Sequence, residues 1–262
     1  MKIKFTLLTI LFLSISISAQ SKIEASSIME DIKAGKNINY SNKTIVGVLD
    51  FTYMEDAMKK LPKKRKKNSW WGNGNYSNTV EKSIDVKISF TNCTFKEDVL
   101  AYIPDEDSGY TFTADFEDSV VFSNCNFERK AMFKYSNFES DTDFSGAIFS
   151  DDTTFKYAKF EREISFENTK FTEVSTFKYA KFKRNVSFAS SVFEDSAIFK
   201  YTEFKNGVSF RNVNFEEDLN IKYMNVSGEF NISNMNVGYD IDSKYTKING
   251  KSFSKYLLNI KS

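Results

Sequence analysis

The sequence predicts an all-β fold, a four-sided solenoid whose sides are short strands, and three observations predict it. Aromatic marks recur from Phe116 at steps that alternate six and five: Phe122, Phe127, Phe133, Phe138, Phe144, Phe149, Phe155, Phe160, Phe166, Phe171, Phe177, Phe182, Phe188, Phe193, Phe199, Phe204, Phe210 and Phe215. Ile221, Val226, Ile232 and Val237 continue the series. A small or β-branched residue stands two before each mark, as at Cys125, Ala131, Ser136, Thr142 and Ala147. Finally, FKYAKF at 155–160 returns at 177–182, with FKYSNF at 133, FKYTEF at 199 and IKYMNV at 221, a period of 22 residues. No helix fits, because an apolar helical stripe needs steps of three and four. On a strand, residues two apart share a face, so each Phe and the small residue before it point inward together. Four sides of five or six residues make one coil of 22, and each FKY marks the same corner of successive coils.

The elements follow in order. Residues 1–19 place Lys2 and Lys4 before an apolar run from Phe5 to Ile17 and end in small residues at Ala19. That is the layout of a signal peptide cleaved after Ala19, with an uncleaved N-terminal anchor as the other reading. Export to the periplasm, the outer-membrane surface or the exterior is therefore expected, with no later segment long and apolar enough to span a membrane. Losing Lys2 and Lys4 reduces 36 basic residues to 34 against 35 acidic ones, a net charge of −1. No global field then recruits nucleic acid, and no nucleic-acid partner is expected.

Residues 20–53 are expected to hold an N-terminal cap and the first strands. Ser26 or Ser27 caps a helix through Lys33 with Ile28, Met29 and Ile32 inward and Gly35 ending it, and TIVGVLDFTY (44–53) supplies the strands. Residues 54–80 leave the period. Their KKLPKKRKK (59–67) places seven positive charges in nine residues, ahead of NSWWGNGN (68–75). Lys63, Lys64, Arg65, Lys66, Lys67, Trp70 and Trp71 are candidate binding residues for an anionic membrane surface or acidic polysaccharide. A solvated loop pinned to the solenoid by one tryptophan is the plainer reading. The solenoid proper runs over 81–241, interrupted by an acidic insertion at 97–111. In 242–262, Phe253, Tyr256, Leu257 and Ile260 stand at helical spacing after Asn249-Gly250 and predict a C-terminal cap helix. Caps at both ends are required, since open solenoid edges polymerise.

The register over roughly residues 86–240, clearest in FSGAIFSDDTTF (144–155), resembles the pentapeptide-repeat family. The resemblance implies a right-handed quadrilateral parallel β-helix, with a large apolar residue at the centre of each five and a small one two before. This chain departs from the family pattern in using Phe rather than Leu and in its five/six alternation. Family members that mimic DNA are strongly acidic dimers, and this charge balance does not carry that activity across.

Equal phase places residues in surface columns. Tyr135, Tyr157, Tyr179, Tyr201 and Tyr223 form one, beside Lys134, Lys156, Lys178, Lys200 and Lys222. It is a candidate docking strip for glycan or protein, ordinary ladder packing being the alternative. Asp151, Glu173, Asp195 and Glu217 form an acidic column without the clustered, loop-borne ligands of a dedicated calcium site. Cys93 and Cys125 occupy inward small positions. If Phe95 and Phe127 end the same side, the two stand one coil apart, where a disulfide and a pair of buried thiols both fit.

Histidine is absent, which removes the usual general base and the commonest metal ligand. No cofactor or metal is expected. Neighbours such as Asp151 and Asp152 point to opposite sides of a strand and make a poor acid/base pair. These features predict a secreted, non-catalytic binding or structural module of the bacterial envelope, whose partner is a protein or an envelope glycan. A β-helix enzyme acting on carbohydrate, or a glycan-binding protein, is the alternative.

Overall fold

The structure, a computed structural model, describes residues 20–61 and 78–260. The chain winds through four parallel sheets, one for each side of the coil. Strand β1 (Ser21–Glu24) and helix α1 (Ala25–Lys33) precede the first full circuit, which holds β2 (Ile38–Ser41), β3 (Lys43–Val46), β4 (Leu49–Asp50), helix α2 (Met54–Met58) and β5 (Thr79–Ile84). The second holds β6 (Ile88–Thr91), β7 (Thr94–Phe95), β8 (Val99–Leu100), β9 (Tyr102–Asp105) and β10 (Tyr110–Phe116). From Val120 onward every side is a short strand, and residues pair with those 22 away, as Val120 does with Thr142.

Register measures the insertions. Ile38 pairs with Ile88 and Ile88 with Val120, so the first two circuits take 50 and 32 residues where later ones take 22. The surplus of 28 and then 10 falls between the third side, ending at Phe51 or Ala101, and the fourth, ending at Ile84 or Phe116. Both insertions therefore leave from one corner of the solenoid, the corner that FKY occupies below them.

Several boundaries differ from the sequence expectation, each for a local reason. Winding starts at Ser21 rather than at 44, because Ile23 pairs with Ile45 and shares its inward phase. Since β1 stays paired through Glu24, α1 begins directly at Ala25. Glu24 rather than a serine is the N-cap, and no side chain closes it. Ala25, Ile28 and Ile32 are buried over the first coil, while Met29 is half-buried. The expected insertion at 97–111 is narrower. Val99 and Ala101 keep the inward register, and only the antiparallel β9–β10 hairpin departs from it. At the other end the coil continues past 241 through Ile241–Asp242 and Lys247–Ile248. A short antiparallel strand, Lys251–Ser252, and helix α3 (Phe253–Ile260) follow it. Tyr256 of α3 donates its hydroxyl to the Phe230 carbonyl at 2.6 Å and ties the helix to the last coil.

Every Phe from Phe133 to Phe215 is buried. Rings stack coil upon coil, Phe155 on Phe177 at 5.2 Å and Phe177 on Phe199 at 4.8 Å, and meet adjacent sides edge-on, Phe177 against Phe188 at 5.3 Å. Each buried Phe contributes about 1.5–3 kcal/mol from area, and each favourable ring pair about 0.5–1.5 more. Hydroxyls among the small inward residues are used as well. Thr169, Ser191, Thr202 and Thr246 each donate to the carbonyl 25 residues earlier, Thr202 to Phe177 at 2.8 Å. Ser136 is the exception. In the coil before it the hairpin replaces the corner, the Ala101 carbonyl accepts from Ala114 N–H, and the buried Ser136 Oγ has no partner.

Cys93 and Cys125 lie in one inward column on consecutive coils, because Phe95 pairs with Phe127. Both are buried free thiols. Cys125 donates to the Phe90 carbonyl at 3.4 Å, and its contact with Cys93 together with burial pushes its pKa up.

Candidate functional site

Two of the four corners are tight turns. At one, residues such as Asn124, Asn168, Asn212 and Asn234 take positive φ, with Gly146 and Ser190 at the same place on other coils. At the other the same backbone geometry falls on tyrosine. Tyr53, Tyr135, Tyr157, Tyr179, Tyr201, Tyr223 and Tyr245 all have φ between 50° and 69°. Ala158 N–H donates to the Phe155 carbonyl at 3.0 Å and Ala180 N–H to Phe177 at 2.9 Å. With φ positive only at the third residue, F-K-Y-A forms a type II turn, which favours Gly or Asn where tyrosine stands.

An L-residue with a bulky side chain loses roughly 1–2 kcal/mol in this conformation. The tyrosines offset that by stacking. Successive centroids from Tyr135 to Tyr245 are 5.0, 4.7, 4.7, 4.6 and 4.7 Å apart, and the three central pairs lie within 7° of parallel. Lys156, Lys178, Lys200 and Lys244 place their Nζ 5.1–5.4 Å from the adjacent tyrosine ring. One ring pair contributes about 0.5–1.5 kcal/mol, and an exposed cation–π contact about 0.5–1. Each rung thus roughly breaks even against its backbone strain, so stability alone does not select tyrosine over the asparagine used at the opposite corner.

Within the stack, ring faces are covered by neighbouring rings, and the rung edges and hydroxyls are what face water. None of the hydroxyls from Tyr135 to Tyr245 bonds to another described residue, whereas Tyr53 donates to the Met29 carbonyl and Tyr102 accepts from Lys134. Tyr102, on the hairpin, leans over the first rung at 5.8 Å from Tyr135. Partial burial, with Lys134 and Lys178 on either side, draws the Lys156 ammonium below its ordinary pKa.

The fourth sheet, next to this corner, is basic in its central coils. Over 156–163, 178–184 and 200–205 stand Lys156, Lys159, Arg162, Lys178, Lys181, Lys183, Arg184, Lys200 and Lys205. Only Glu161, Glu163 and Glu203 oppose them, so nine cations against three carboxylates leave +6, in a chain whose total is +1. Lys183 pairs with Glu161, and Lys205 with Glu203 at 2.7 Å. Lys159, Arg162 and Arg184 make no ion pair among the described residues. A shallow groove of about 720 Å³ runs between Asn137, Arg162, Arg184 and Lys205.

The tyrosines and lysines expected as a strip are therefore brought together, and Tyr245 with Lys244 extends it by one rung. Lys63, Lys64, Arg65, Lys66, Lys67, Trp70 and Trp71 lie outside the described residues. The acidic residues Asp151, Glu173, Asp195 and Glu217 do stack, their strands pairing coil to coil. Among the described residues no group of three or more carboxylate or thiol side chains is placed to hold a metal ion. A groove of about 560 Å³ over the first sheet is lined by Asp141, Glu163, Glu167 and Glu229, with Asn185 and Gly207 interrupting the column between Glu163 and Glu229. Among the described residues no helix is long and apolar enough to cross a membrane.

No curated protein matches the chain, and neither does any solved structure. A family model described as pentapeptide repeats (9 copies) matches residues 113–159, 133–180 and 177–224, and the same 22-residue register continues beyond them to Ile248. Its overlapping matches, the four parallel sheets and the inward phenylalanine columns agree on one conclusion: residues 113–224 form a run of pentapeptide repeats.

Proposed function

We propose that this repeat protein is an exported, non-catalytic binding module of the bacterial envelope, and that the tyrosine corner is its contact surface. The observation that carries the reading is the run of tyrosines at positive φ. A residue type kept at a backbone position that disfavours it, without a clear gain in stability, is kept for what its exposed edge does. Export rests on the N-terminal layout of Lys2, Lys4, the Phe5–Ile17 run and Ala19. The lack of catalysis rests on the missing histidine and on the uniform coil surface.

The test replaces Tyr157, Tyr179 and Tyr201 together by Asn, the residue the opposite corner uses. Relief of backbone strain offsets the lost stacking, so stability is expected to stay within roughly 2 kcal/mol. Retention on isolated envelope material is expected to fall sharply. Undiminished retention of a folded triple variant would sink the reading. Because the groove over the first sheet stacks Asp141 on Glu163, the alternative is a polysaccharide hydrolase. New reducing ends released from envelope polysaccharides, and abolished by Glu163→Gln, would establish it instead.

A further inference from the structure

We infer that the ligand of the tyrosine corner is an extended carboxylated polysaccharide, a chain of 1,4-linked uronate sugars lying along the solenoid axis. This rests on the binding-module reading and names its partner class. The orientation of the rings carries the argument. Neutral sugars are held by stacking on open aromatic faces, and here the faces between Tyr135 and Tyr245 are occupied by neighbouring rings. What remains outward is a row of free phenol hydroxyls beside a row of ammonium groups. That is a line of hydrogen-bond donors with positive charge, suited to carboxylates.

Spacing and charge agree with this. Consecutive rungs are separated by the distance between paired strands, about 4.8 Å. A 1,4-linked uronate offers one carboxylate per sugar at a rise of the same order. Six rungs, from Lys134/Tyr135 to Lys244/Tyr245, cover roughly 24 Å, which matches a segment of about six sugars. The adjoining fourth sheet adds Lys159, Arg162 and Arg184, none of them in an ion pair among the described residues, so one flank of the strip is also cationic. A straight, regularly charged chain can span the whole strip and meet its rungs at regular intervals, and a compact anion cannot.

The experiment measures binding of the full-length protein to fluorescently labelled oligogalacturonates of two to ten sugars, at about 50 mM salt where screening is moderate. Affinity should rise with length up to about six sugars and then level off, and added salt should weaken it. Lys156→Gln/Lys178→Gln/Lys200→Gln should raise Kd at least about tenfold. Tyr157→Phe/Tyr179→Phe/Tyr201→Phe, which keeps the ring stack and removes only hydroxyls, should raise it several-fold. Replacing the seven basic residues of 59–67 by Ser should change it little. Equal affinity for a neutral β-glucan hexamer, tighter binding to single-stranded DNA or to phosphatidylglycerol vesicles, or insensitivity to the lysine triple variant would each overturn the inference. So would loss of binding on loop substitution alone. No uronate binding alongside tyrosine-dependent envelope retention overturns the inference and leaves the module reading standing. Loss of tyrosine dependence in both assays removes the module reading as well.

Discussion

Ser136 and Thr202 occupy one inward column, with Ala158 and Ala180 between them, yet truncating each to alanine should have opposite effects. Thr202 donates to the Phe177 carbonyl at 2.8 Å, and its methyl group packs in the core. Removing a bond worth about 0.5–1.5 kcal/mol and burying about 0.8 kcal/mol less methyl predicts a loss of roughly 1.5–2 kcal/mol for Thr202→Ala. The Phe177 carbonyl keeps its bond from Ala180 N–H, so no new unsatisfied group inflates that cost. Ser136 Oγ is buried without a partner, a penalty of about 1–3 kcal/mol, and alanine already fits two places in the column. Ser136→Ala should therefore stabilise by about 1 kcal/mol. Urea unfolding midpoints should shift in opposite directions, and melting temperatures should separate by several degrees at about 2–4 °C per kcal/mol. If Ser136→Ala lowers stability as much as Thr202→Ala does, the hydroxyl is satisfied and the reasoning fails.

Phe177→Asp places a carboxylate among five stacked or edge-on rings and should cost several kcal/mol, unfolding neighbouring coils with it, whereas Lys178→Asp should keep the fold and lose uronate binding. An unchanged melting temperature for Phe177→Asp would refute the inward assignment. Burial, with Glu81 beside it, pushes the Asp115 carboxyl up to about 6 against the pull of Asn137 N–H. A carboxyl raised in the folded state adds stability that is complete below its unfolded pKa of about 3.9 and is lost as pH rises through about 6. Stability should accordingly fall between those values, and Asp115→Asn should flatten that slope; parallel pH profiles for the two proteins would count against it. Cys93 and Cys125 stand on paired strands, a separation of about 4.8 Å that lies within disulfide range. Refolding in a glutathione redox buffer should close this bridge and stabilise by about 3–4 kcal/mol, and mass spectrometry finding two intact thiols would refute the expectation.

Much of the coil was legible because Phe marks at five and six admit only one periodic solution, and a four-sided circuit follows from FKY every 22 residues. The corner itself was less so. Its position could be read from the repeat, but tyrosine at positive φ runs against conformational preference, and only backbone geometry shows that Tyr157 and Asn168 occupy equivalent turns. The orientation of the rings, which turns a stacking platform into a row of hydroxyls, has no sequence signature at all. Lys22-Ile23-Glu24 is too short a strand to announce itself, and it emerges only through its pairing with β3. Val99 and Ala101 keep the phase inside a segment that reads as an insertion, because the next inward mark, Phe116, is displaced by the hairpin's ten residues. That both insertions share a corner became visible only when the registers of Ile38, Ile88 and Val120 were compared.

The exact 22-residue register has a consequence for heredity. Each coil touches only the coils directly before and after it, and residues one period apart stand in near-identical surroundings. An in-frame deletion of 156–177 would set Phe155 in front of Lys178, restore FKYAKF across the junction, and bring Phe155 into the place Phe177 holds against Phe199. Duplication does the reverse. The gene can therefore lengthen or shorten its product in whole coils, while the caps at either end meet the same neighbours as before. Strip length becomes a quantity that evolution can count, one tyrosine and one lysine at a time.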